Sequence, residues 1–208
     1  MFYGLMGETA MNGFILMSDR FWKNIWDSKG NSKSCDLLYL DGYDHLSYKF
    51  DSQQIVKKII NQLNVEKGSS ILEVGCGAGF LAREMQDLKY VGVDYSEPII
   101  KKHKMLFPTH NIKVSESNNL PFEDKMFDYV FCFGLFQYLP NRGYADETIS
   151  EMTRIARKKI FLGDLKTEKT RSEHFVYPRE IFIKNGNTTT KCLYDQEDTT
   201  RYNVLMEV

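Results

Sequence analysis

The residues that could do chemistry cluster first at Glu73-Val74-Gly75-Cys76-Gly77-Ala78-Gly79, where an acid closes an apolar run and glycines follow at every second position. Glycine at alternate positions leaves bare backbone against which a ligand can lie, and a turn of this kind after a strand faces the C-terminal edge of a parallel sheet. Nineteen positions beyond Gly75, Asp94 closes the next apolar run, where a carboxylate can accept both hydroxyls of a ribose. A tight turn with no ligand and an ordinary surface aspartate are the plain alternatives, but their joint spacing favours a nucleoside site.

The details decide which nucleoside. A dinucleotide fingerprint needs glycine at position 80, and the residue there is Phe80. Glu73, two positions before the first glycine, would repel a pyrophosphate and suits a cationic ligand instead. S-adenosylmethionine carries both an ammonium and a sulfonium. A second stretch, Leu120-Pro121-Phe122-Glu123-Asp124-Lys125-Met126-Phe127-Asp128-Tyr129-Val130, follows at a fixed distance. With these two signatures the chain resembles, over roughly residues 50 to 165, the class I S-adenosylmethionine-dependent methyltransferases of the small-molecule branch. The resemblance implies a Rossmann-like sheet. It also implies that Glu73 and the backbone of Gly75 and Gly77 hold the methionine portion, and that Asp94 holds the ribose. Tyr95 would lie against the adenine, and Glu116, Ser117 or Asn118 would reach its amino group. The Phe133 carbonyl would accept from the methionine ammonium. Leu135-Phe136-Gln137-Tyr138 stands where such enzymes often carry histidine, so no family-derived base is transferred.

Methyl transfer is an in-line displacement, and positioning supplies much of its rate. An acceptor amine or hydroxyl must still shed a proton, which makes His45, Tyr138, Asp164 and His174 candidates by type and by position beyond the sheet's C-terminal edge. Each also reads as an ordinary structural or solvent-facing residue. Ten of the 28 aromatic residues fall in the first 50 positions, among them Phe21, Trp22, Trp26, Tyr39 and Tyr43. Two readings compete: an ordinary amphipathic helix, or a lid that excludes water and offers aromatic faces to a sulfonium or a flat acceptor.

These residues must be positioned by alternating elements. Apolar spacing predicts helices over 51–64, 78–88, 96–106 and 144–157, with another from Pro178. Strands are expected at 70–75, 90–94, 112–115, 127–133 and 159–165, and a closing hairpin at 189–194 and 202–208. The expected architecture is α/β: a doubly wound, Rossmann-like seven-stranded sheet, mostly parallel, with one antiparallel strand from the hairpin. A single domain over 1–208 is expected, with residues 1–50 as an aromatic cap or lid and 51–208 as the core.

Composition narrows the partners. Lysine and arginine total 27 against 28 acidic residues, giving a net charge of -1 and no general pull toward polyanions. The basic clusters 101–104 and 157–159 read as solvated helix ends, so a nucleic acid acceptor is disfavoured. Cys35, Cys76, Cys132 and Cys192 form no paired spacing, which fits a reducing cytoplasm, and no ligand spacing suggests a metal. The longest apolar run, 129–136, is too short to span a bilayer. The start methionine, Met17 or one before it, stays open. So do a protein partner and a homodimer. The competing functional readings are a non-catalytic cofactor-binding scaffold and a nicotinamide-dependent oxidoreductase.

Overall fold

The computed structural model describes residues 21–46 and 50–208. The choice of start methionine and the first 20 residues of the expected cap lie outside the described residues. Residues 21–31 form helix α1 and Leu37–Leu40 a short α2, with Asp36 accepting from the Leu38 N–H at its start. α3, Ser52–Leu63, begins where the Asp51 carboxylate accepts from the N–H groups of Gln53 and Gln54, and ends at Asn64 in the left-handed region. Its buried stripe is Ile55, Val56, Ile59 and Leu63.

The strands are β1 Ser70–Val74, β2 Lys89–Asp94, β3 Asn111–Val114, β4 Phe127–Phe133, β5 Ala156–Lys166, β6 Thr188–Lys191 and β7 Arg201–Glu207. They form one seven-stranded sheet in the order β3-β2-β1-β4-β5-β7-β6. β7 runs antiparallel to both β5 and β6, and the other pairings are parallel. The expected fold class is therefore the observed one. The strand order reverses between β1 and β4, which opens a crevice at their C-terminal ends.

The helices α4 Glu97–Leu106, α5 Arg142–Ile155 and α6 Arg179–Lys184 complete the layers. β4 is buried on both faces: Val130 and Cys132 pack with Met152 and Ile155 of α5, while Tyr129, Phe131 and Phe133 pack with Ile55 and Ile59 of α3. A register shift between Phe127 and Tyr129 puts Phe127 on the same side as Val130. Each such side chain contributes roughly 1.5–3 kcal/mol by burial.

One expected element is corrected. Residues 78–88 form no α-helix, only turns and a 3-10 turn at Ala82–Glu84. Phe80, Leu81 and Ala82 are buried in succession, so the segment has no one-sided apolar stripe. Gly79 has φ +101, which a helix cannot continue, and a Cβ there would crowd the His103 ring of α4 at 2.8 Å. His103 fills the space beneath the turn. Its Nδ1–H donates to the Gly77 carbonyl at 2.9 Å, which leaves Nε2 to accept from His110 Nδ1 at 3.0 Å.

Candidate active site

A cavity of about 250 Å³ lies at the C-terminal ends of β1, β2 and β4, roofed by α1 and the segment after α2. Glu73, Gly75 and Gly77 form its floor, Asp94 and Tyr95 one wall, Phe133 and Tyr138 another, and Trp22, Lys23 and Trp26 the roof. Gly75 at φ +80 and Gly77 at φ +52 need the left-handed region that glycine tolerates.

Each carboxylate here is fixed by a specific donor. The Tyr90 hydroxyl donates to Glu73 Oε2 at 2.6 Å. Asp94 Oδ2 accepts from the Gly77 N–H at 3.1 Å and Oδ1 from the Ser96 N–H at 3.0 Å. Asp41, from the loop after α2, accepts from the N–H of Ala78 at 2.6 Å and of Phe80 at 2.9 Å. Burial raises all three: Glu73 to about 8, Asp41 to about 7 and Asp94 to about 6. Their mutual repulsion adds to the shift of Glu73 and Asp41. A cation beside Glu73 and Asp94 would relieve the cost of ionising these buried acids.

The adenine-side candidates divide. Glu116 and Ser117 line the cavity. Glu116 Oε2 accepts from the Tyr144 hydroxyl at 2.7 Å, and Ser117 Oγ lies 2.9 Å from Thr148 Oγ1. The Asn118 side chain instead donates to Glu147 at 2.8 Å and is not part of the lining. Tyr95 presents its ring to the cavity, with Lys23 Nζ 5.3 Å from the ring centre.

Of the proton-transfer candidates, only Tyr138 lines the cavity, and burial pushes its hydroxyl up to about 12. His45 is exposed in the 3-10 turn Asp44–Leu46. His174 is buried behind the roof, stacked on Trp22 at 5.2 Å and 12°, with Nδ1 at 2.9 Å from Thr170 Oγ1. Thr170 accepts from Lys166 Nζ at 2.5 Å, and its contact with His174 Nδ1 engages that imidazole nitrogen in either tautomer. Asp164, at φ +61 near the end of β5, is bound by Arg201 at 2.5 Å and the Tyr194 hydroxyl at 2.9 Å.

Sequence reasoning missed Asp41 and Tyr144, and it named Tyr43 only as one of the aromatic rings of the cap, without its hydroxyl's partner. The Asp41 contact spans 37 residues and the Tyr43 hydroxyl's contact with the Phe133 carbonyl, at 3.3 Å, spans 90. A short polar turn inside an aromatic-rich segment was the only local signal.

A parallel sheet with a crevice at its order reversal, a glycine turn and an acid closing β2 defines a nucleoside-binding α/β protein. Comparison with known proteins narrows this. The methyltransferase domain family model matches residues 71–159. The demethylmenaquinone methyltransferase of Staphylococcus saprophyticus is 29% identical over 139 residues, covering 62% of this chain and 57% of that protein. The crystal structure of magnesium protoporphyrin IX methyltransferase from Synechocystis with bound S-adenosylmethionine superposes with a TM-score of 0.61 at 15% identity, covering 91% of this chain and 95% of that one. An S-adenosylmethionine-dependent methyltransferase from Clostridium acetobutylicum gives 0.65 at 13% identity, with coverage of 84% and 99%. Residues 71–159 thus match a methyltransferase domain, and the whole sheet has the fold of solved S-adenosylmethionine-dependent methyltransferases. The chain spans about half the length of the curated relatives it matches, 48% and 57% of two of them.

Proposed function

We propose that this protein binds S-adenosylmethionine and transfers its methyl group to a small-molecule acceptor. The observation that carries the reading is the cavity in which Glu73, the glycine turn and Asp94 meet under an aromatic roof. The donor set fits the cofactor: bare backbone at Gly75 and Gly77, a carboxylate at the end of β2 for a ribose, an aromatic ring at Tyr95, and buried acids that favour a cation. When bound, the cofactor supplies a methyl group activated by its positive sulfur. The chain's own residues orient and shield. Asp94, fixed by two backbone donors, is assigned to the ribose, and Glu116 and Ser117, which line the same cavity, to the adenine edge. Trp22, Trp26 and Tyr138 line the cavity with aromatic rings, which would exclude water and suit a positive sulfur. Positioning then provides the bulk of the rate, with the acceptor's own acidity governing proton loss.

The names of two relatives, a demethylmenaquinone and a magnesium protoporphyrin methyltransferase, support a flat, conjugated acceptor, as does the aromatic roof. We read residues 1–50 as a cap on the core 51–208 of a single domain. Among the described residues no helix is long and apolar enough to cross a membrane, and the cysteines are unpaired. The unpaired cysteines support a reducing, cytoplasmic site of action, and the net charge of -1 supports a small-molecule acceptor over a nucleic acid. Isothermal titration with S-adenosylmethionine tests the cofactor. Single-turnover transfer from labelled cofactor across a metabolite pool, with quinones included, tests the acceptor. Absence of binding would remove the reading.

A further inference from the structure

Asp41 and Tyr43 occupy complementary backbone groups of the cavity. The Asp41 carboxylate takes the two amides of the glycine turn, those of Ala78 and Phe80, at 2.6 and 2.9 Å. The Tyr43 hydroxyl donates to the carbonyl of Phe133, at the end of β4, at 3.3 Å. Both side chains line the cavity. The fit is close on each side: a Cβ at Gly77 would collide with Asp41 Oδ1, and one at Gly134 would collide with the Tyr43 hydroxyl.

An anion on two amides and a proton donor on a carbonyl is the pattern that an α-amino acid presents with its carboxylate and ammonium. We propose that Asp41-Gly42-Tyr43 is an internal mimic of the amino-acid end of S-adenosylmethionine, a strap that fills that half of the site and must withdraw before that end seats. The inference rests on the cofactor reading above and adds a built-in competitor to it.

The strap is built to sit in this position and is tied to the roof. Gly42, at φ +81, makes the reversal that turns both flanking side chains inward. The Gly42 N–H donates to the Tyr39 carbonyl and the Tyr43 N–H to the Leu38 carbonyl at 2.7 Å. The Tyr43 ring stacks on Phe50 at 4.1 Å and 20°. From α1, Lys29 Nζ donates to the Tyr39 carbonyl at 2.6 Å, and the Trp26 ring lies so close to Gly42 that a Cβ there would meet it at 2.9 Å. Withdrawal of the strap therefore pulls on α1, which carries the roof residues Trp22 and Trp26. Among the described residues neither strap side chain hydrogen-bonds to Asp94, whose partners are the Gly77 and Ser96 N–H groups, or to Tyr95. A ligand lacking the amino-acid end has no competitor.

The test compares two ligands on the full chain by isothermal titration: S-adenosylmethionine, and 5′-methylthioadenosine, which keeps the nucleoside and sulfur without the amino-acid end. Asp41→Ala and Tyr43→Phe should tighten S-adenosylmethionine about tenfold, as when a competent population near one in ten is freed, and leave methylthioadenosine unchanged. Asp41→Asn, which keeps an acceptor on the turn, serves if the alanine variant does not fold, and should tighten in the same direction. Unchanged or weaker S-adenosylmethionine binding in Tyr43→Phe and Asp41→Asn overturns the strap, as does an equal shift for both ligands. If neither ligand binds any form, the cofactor reading itself fails and takes the strap with it.

Discussion

The Tyr90 hydroxyl reaches Glu73 Oε2 at 2.6 Å because the residue opposite Glu73 in the β1–β2 ladder is Gly92. A Cβ at Gly92 would stand 2.6 Å from that hydroxyl and 2.9 Å from Cys76 Sγ. A missing side chain on β2 thus lets a neighbour on the same strand hold the one acid on the cavity floor. The hydrogen bond works against burial, favouring the ionised carboxylate.

Tyr90→Phe should therefore leave Glu73 more protonated at neutral pH and weaken S-adenosylmethionine binding about tenfold, the scale of one hydrogen bond to a charged group. Titration calorimetry at pH 7 reads this directly. Equal affinity for the variant and the parent would show that Glu73 needs no partner to hold a cation.

How far the sequence discloses this site depends on the range of each contact. β4 was legible because an apolar run from Phe127 to Phe133 is what a strand buried on both faces requires, and α3 because Asp51 and Asn64 bracket one stripe. The turn and Asp94 were legible because glycine and acid spacing is local. The absence of a helix at 78–88 was not. Leu81, Met85 and Leu88 have helical spacing, but the space is decided by His103 and Phe107, which crowd Gly79 from α4. Asp41 was hidden for the same reason, since its partners are distant in sequence and are backbone amides that carry no residue signature.

The three cavity acids set a pH dependence whose sign is fixed. Their folded values, about 8 for Glu73, about 7 for Asp41 and about 6 for Asp94, lie above the ordinary carboxylate values of 4.5 and 3.8. The stability they contribute is full below those ordinary values and is lost as pH rises through the folded ones. His103 acts in the opposite sense. Burial holds it near 4, so its contribution is full above 6.5 and lost as pH falls. Without ligand, thermal stability should therefore decline from about pH 6 to pH 8.5, and Glu73→Gln, neutral throughout, should flatten that decline. Melting curves followed by circular dichroism across this range provide the check. Parallel declines in parent and variant would dismiss Glu73 as the source. A bound cation should also favour ionisation, so titrations in buffers of different ionisation enthalpy should show proton release.

Asp94 makes a different demand, because both of its oxygens already accept backbone N–H groups, from Gly77 and Ser96. In Asp94→Asn one oxygen becomes a donor facing a donor, which costs about 1–3 kcal/mol of local stability and turns the group away from a ribose. Affinity should fall about hundredfold for S-adenosylmethionine and methylthioadenosine alike, since both carry the ribose. Loss confined to S-adenosylmethionine would place Asp94 at the amino-acid end instead.

The two tryptophans of the roof differ in burial, so replacing each in turn tests folding apart from the proposed role in acceptor binding. Trp22 is 6% exposed, donates its indole N–H to the Glu173 carbonyl at 3.2 Å, and stacks on His174. It anchors α1 to the chain between β5 and α6, and Trp22→Ala should cost about 3–5 kcal/mol of stability, as other large core truncations do. Trp26 is only partly buried, lines the cavity, and meets Tyr138 edge-on at 5.1 Å. If α1 were merely an amphipathic helix, Trp26→Ala would lower stability and activity together. As a lid residue it should raise the KM for a flat acceptor about tenfold, losing ring contact worth roughly 0.5–1.5 kcal/mol beyond its burial, while the melting temperature moves only slightly. The measurement is steady-state kinetics with a quinone acceptor beside a melting curve of the same preparation. An unchanged acceptor KM, with stability lost in its place, would return α1 to a purely structural role and leave Tyr138 as the aromatic residue to test next on the cavity wall.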